Sequence, residues 1–124
     1  MDRSITHWRL WADDDGESHI NQVQVPLTSV NYAPPAPPAD FAAPINADRF
    51  VLFQIPEGWQ DEAHPSPSRQ YCVVLSATVE VSASDGTTVI FHPGDCLLME
   101  DTHCKGHGTR AVDGPADVLM VTLE

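Results

Sequence analysis

The sequence predicts an all-β antiparallel fold, a sandwich or barrel of about eight short strands. Three observations predict it. Apolar residues recur with period two in short runs. Turn chemistry separates those runs at regular intervals. No segment carries a sustained apolar stripe of helical period. With 124 residues, 13.6 kDa and 42% apolar residues, the chain suits one domain with a packed core.

Taken in order, Trp8, Leu10 and Ala12 give a first weak alternation, and Asp13-Asp14-Asp15-Gly16 turns the chain. Val23, Val25 and Leu27 then alternate with Gln22, Gln24 and Pro26, as in a half-buried strand. Pro34, Pro35, Pro37 and Pro38 exclude helix and sheet ladder, so residues 33–39 read as an extended surface strap; a ligand for a proline-binding partner is the other reading. Residues 51–55 form a compact apolar run. Residues 70–75 are apolar on both faces, as in a strand covered on both sides by the N-terminal arm or a second subunit. Val79 and Val81 lead into an Asp85-Gly86 hairpin that returns through Val89 and Phe91. Pro93-Gly94-Asp95 turns into 96–99, and 118–123 is the last strand. The organisation expected is an N-terminal arm with a proline-rich strap over 1–45, packed on a barrel over 46–124.

Eighteen acidic against six basic residues give a net charge of -12, which repels phosphate backbones and anionic lipid. Nucleic-acid and membrane-surface roles are therefore not expected. No apolar run is long enough to span a bilayer, and the first ten residues show no secretory pattern. Cys72, Cys96 and Cys104, an odd set without a CxxC, suit a reducing, cytoplasmic setting.

Two stretches carry residues suited to chemistry. His64, Ser66, Ser68 and Gln70 share one parity, continued by Cys72 and Val74, so an extended chain points them to one side. Residues 100–107 add Glu100, Asp101, His103, Lys105 and His107 at one end of a small barrel. Two imidazoles from different strands plus an oxygen donor begin a site for a divalent transition metal. Read singly, His64 is a hydrogen-bonded histidine in a proline-rich turn, and Gln70 is a satisfied polar residue. Ser66 lacks the base and orienting acid of a nucleophile. Glu100 and Asp101 face opposite ways on extended chain, so they are not a paired acid–base unit.

Residues 58–124 resemble a cupin, a small antiparallel jelly-roll barrel. The resemblance rests on Gly58, His64-x-Ser66, Gln70 and Ala77 against the first cupin motif. Against the second it rests on Gly86, Pro93-Gly94-Asp95, and His103 and His107. Cupin metal sites usually combine three His with one Glu. Here Ser66 stands for the second His, Gln70 for the Glu and Ala77 for the closing Gly, and an ungapped count puts Lys105 at the last His. A two-residue loop change would bring in His103 or His107, of which His107 has a glycine beside it to ease a bend.

The resemblance implies a divalent metal (Fe, Mn, Ni or Zn) on His64, Gln70 and His107. The activity would be of isomerase, lyase or dioxygenase type on a small organic molecule. Lys105, Glu100 or Asp101 would shuttle protons, and Gln70, Ser66 and Trp59 would contact substrate. The alternative is a barrel that binds a small molecule without metal or catalysis. A homodimer is the expected assembly.

Overall fold

The computed structural model describes residues 3–124 and bears out the all-β prediction, with no helix among the described residues. The strands are β1 (Ser4–Ala12), β2 (Ser18–Pro26), β3 (Thr28–Val30), β4 (Ala39–Phe41), β5 (Ala47–Ile55), β6 (Gln70–Val74), β7 (Val79–Ala83), β8 (Thr88–Phe91), β9 (Cys96–Met99), β10 (His107–Ala111) and β11 (Ala116–Leu123). Six form the main sheet, in the order β2-β1-β9-β6-β11-β5, and three form a second, β10-β7-β8. The bridges Gln60↔Arg110 and His64↔His107 lay the loop before β6 alongside β10. No ladder joins the two sheets edge to edge among the described residues, so the roll is open at its corners.

The alternation read from the sequence is what fills the space between the sheets. Leu10, Val74, Leu97, Met99 and Val118 from the main sheet meet Val79, Val81, Phe91 and Ala111 from the smaller one. Trp8 stands edge-on to Phe91, with ring centroids 5.6 Å apart. Fully burying such side chains stabilises by about 1.5–3 kcal/mol each.

The arm is more than packing. β1 lies inside the main sheet, antiparallel to β2 and parallel to β9 through Trp8↔Leu97 and Leu10↔Met99. The strap leaves the body as a short β3–β4 hairpin exposed over residues 28–39, with Tyr32 stacked on Phe41 at 5.0 Å and Arg3 bonded to Asp40. The sequence reading missed β10, because His107-Gly108-Thr109-Arg110-Ala111 has no apolar alternation. It is a strand because β7 supplies its ladder, from His107↔Ala83 to Ala111↔Val79.

Candidate functional site

A cavity of about 300 Å³ opens between the sheets. β6 directs Gln70 and Cys72 inward, opposite Met99 and Leu97 of β9. β7 adds Val79 and Val81, β11 adds Val118 and Met120, and Phe53 of β5 and Trp59 of the following loop reach the rim. The walls are apolar, and the polar groups gather at one end. That is the usual make-up of a small-molecule site.

The polar end is built on the close approach of two chain segments. Residues 64 and 107 exchange both backbone bonds, His64 N–H to the His107 carbonyl and His107 N–H to the His64 carbonyl, each at 3.0 Å. Gly106 makes this possible. Its φ is +84°, and a Cβ there would lie 2.0 Å from the His64 carbonyl carbon. Ser18, itself fully buried, holds the Gly106 carbonyl with a 2.6 Å hydrogen bond. The two imidazole rings thus sit 5.1 Å apart, centroid to centroid, beside Gln70.

The rings are held in different states. His107 Nδ1 lies 2.6 Å from Oδ2 of Asp101, whose Oδ1 accepts from the Ser66 hydroxyl at 2.7 Å. Asp101 is 0% exposed, Ser66 2% and His107 3%. A carboxylate on Nδ1 fixes the proton there and leaves the Nε2 lone pair free. Nε2 has no hydrogen-bond partner among the described residues, yet it is not sealed off, so it faces the cavity. The Gln70 carbonyl oxygen is in the same position, while its amide nitrogen approaches the Met99 sulfur at 4.0 Å. His64 is the opposite case. Its Nδ1 lies 3.0 Å from the Pro65 carbonyl and its Nε2 2.7 Å from Asp61 Oδ2, with the side chain 51% exposed at the mouth. Both neighbours accept only, so the doubly protonated ring is the form that satisfies both contacts. The Pro65 carbonyl, and then Asp61 and Asp101, raise its pKa above the ordinary imidazole value.

This donor chemistry does not fit a metal on His64, Gln70 and His107. Both His64 ring nitrogens are already engaged, by the Pro65 carbonyl and Asp61, and one imidazole with one neutral amide is a weak remainder. Among the described residues, no group of three or more His, Cys, Asp or Glu is arranged to hold a metal ion.

Of the other sequence candidates, Ser66 and Trp59 line the cavity, but the Ser66 hydroxyl is spent on Asp101. The catalytic candidates Lys105 and Glu100 do not line it. Lys105 pairs outside with Glu17 at 2.7 Å, because His107, two positions on, takes the inward place. Glu100 points outward between Arg9 (2.6 Å) and Arg69 (2.5 Å). Burial opposes its charge, but those two guanidiniums hold its pKa below the ordinary value. His103 is exposed in the loop. Cys72 is a cavity wall and not a nucleophile: burial, with Cys96 nearby, pushes its thiol up to about 12. Sequence reasoning missed Asp61 and the orienting role of Asp101. The second was findable, since inward Met99, outward Glu100 and inward Asp101 continue one alternation.

Two facing sheets around a histidine-capped hollow define a jelly roll with an internal cavity. Its fold is the cupin fold. A cupin superfamily protein from Desulfitobacterium hafniense superposes with a TM-score of 0.50 at 18% identity, over 66% of this chain and 72% of that one. A conserved protein of unknown function from Streptococcus pyogenes gives 0.49 at 23% identity; 60% of this chain matches 63% of its length. The cupin domain of Cnp3 from Schizosaccharomyces pombe gives 0.48 at 11% identity, over 98% and 84% of the two chains. No family profile and no curated protein matches the sequence.

Proposed function

We propose that this cupin binds a small, largely apolar organic molecule bearing a hydroxyl or other hydrogen-bond donor, and does so without metal. The observation that carries the proposal is the buried Ser66–Asp101–His107 chain ending on a free Nε2 in an apolar hollow. An acceptor held in place before binding is favourable, because the ligand need not organise it. The Gln70 carbonyl is a second acceptor beside it, and the apolar walls take an aromatic or aliphatic body. The charged form of His64, favoured at the mouth by the Pro65 carbonyl and Asp61, suits a ligand with partial negative charge.

A phenol is the simplest probe. Calorimetric titration of chelator-treated protein with p-cresol, which keeps its hydroxyl proton at neutral pH, is expected to give saturable binding at one site. Adding Mn, Fe, Ni or Zn leaves the affinity unchanged, and His107→Phe weakens it at least tenfold. Binding that requires added metal, or that His107→Phe leaves intact, removes the proposal. The Asp101–His107 pair favours one second reading, a general base that moves a proton on the bound molecule. Exchange of a ligand C–H for deuterium, abolished in Asp101→Asn, tests it.

A further inference from the structure

We propose that β5 is a homodimer strand, pairing antiparallel through its free edge with β5 of a second copy of this chain. β5 ends the main sheet: one side bonds β11, and the other carries no ladder among the described residues. Eight of its nine residues are exposed, Phe50 to 66% and Leu52 to 65%. Long apolar edges invite pairing, and proteins normally blunt them with lysine, proline or a cover. The other end of the sheet is blunted in this way, since β2 carries Asn21, Gln22, Gln24 and Pro26. Between Ala47 and Ile55 there is no Lys and no Pro.

Area, charge and register select a second copy as the occupant. Phe50, Val51, Leu52, Phe53, Ile45 and Tyr32 are all exposed along β5 and the preceding arm. Weighted by their exposure, at about 200 Å² for a whole large side chain, they offer about 600–700 Å², most of the ~800 Å² per partner that a stable interface takes. The chain carries -12 overall, so two copies repel across most of their surfaces. Residues 27–56 hold only Asp40, Asp48 and Arg49, and Arg3 neutralises Asp40. Glu57 follows two residues after β5, Asp117 and Glu124 lie on or just after β11, and Gln54 bonds Asp117. The strand itself thus carries one acid and one base, so a like-charged copy meets little net repulsion along it. A two-fold antiparallel alignment that sets Asp48 against Arg49 of the second copy makes that ion pair twice. It also places Phe50 opposite Ala47 and Leu52 opposite Ile45, each pair on one face. Such a ladder ends beside Phe53, at the rim of the cavity.

Sedimentation velocity across a wide concentration range tests the pairing. Wild type is expected at twice 13.6 kDa. Leu52→Asp is expected to be monomeric with an unchanged circular dichroism spectrum, and Arg49→Asp to weaken dimerisation at least tenfold. The swapped double variant Asp48→Arg/Arg49→Asp restores it, and Ile5→Asp, on exposed apolar surface of β1, leaves it unchanged. The charge variants lie on the surface and keep the test sharp even if Leu52→Asp fails to fold. A wild type monomeric throughout overturns the proposal and turns the strand over to a different protein. A dimer indifferent to Arg49→Asp and Leu52→Asp overturns it as well. Because the assay uses no ligand, its outcome is independent of what the cavity binds.

Discussion

Gly106→Ala is the substitution that presses hardest on the site. The new Cβ would sit 2.0 Å from the His64 carbonyl carbon and 2.3 Å from the Pro65 nitrogen. Ordinary carbon contacts are about 3.5–4.0 Å, so β10 and the 60–66 loop must part by about 1.5 Å. That breaks the two reciprocal bonds between residues 64 and 107, at about 1 kcal/mol each. Left-handed backbone adds about 1–2 kcal/mol for a residue with a Cβ. The total is about 3–4 kcal/mol, read from the shift in urea midpoint multiplied by the m-value. Gly86→Ala is the control: its φ is also positive, at 94°, but nothing lies within 4 Å of the added carbon. It should cost only the backbone strain, about 1–2 kcal/mol. If Gly106→Ala costs no more than Gly86→Ala, close approach is not what builds the polar end.

Three further outcomes are expected. Asp101→Asn should destabilise by about 1–3 kcal/mol, since it weakens two buried bonds to a charged acceptor, and should convert His107 Nε2 from acceptor to donor, abolishing phenol binding. Ala77→Gly should stabilise by about 0.5–1 kcal/mol in thermal unfolding, because Ala77 holds a φ of +61° that glycine adopts freely. His19 bridges Asp13 and Asp85, both at 2.7 Å, and those contacts, Asp13 first, raise its pKa above 6.5. Its contribution to stability is therefore complete below pH 6.5 and fades as pH rises through the higher folded value. His19→Gln should flatten the stability profile over that window; an unchanged slope would disprove the bridge.

The core was legible because period-two runs bury one face each. Val79, Val81 and Phe91 read correctly from alternation and the Asp85-Gly86 turn alone. β10 was not legible, since a strand made of His, Gly, Thr, Arg and Ala owes its state to β7. Parity brought His64, Ser66 and Gln70 to one cavity, but parity does not report hydrogen-bond partners. Pro65 and Asp61 favour the charged form of His64, and Asp101 engages Nδ1 of His107 and leaves its Nε2 toward the cavity; both depend on contacts formed only in the folded chain. Ala77 illustrates the same limit, since the left-handed turn persists although the glycine that would ease it is absent.

The central claim is that residue 107 enters the hollow with a bare ring nitrogen ready for a ligand, no metal intervening. Long-range proton–nitrogen correlation on nitrogen-labelled, chelator-treated protein measures it directly. The account predicts that His107 is protonated on Nδ1 alone, with an Nε2 resonance that moves as p-cresol is added. A proton found on Nε2, or a resonance unmoved at saturating phenol, would contradict it.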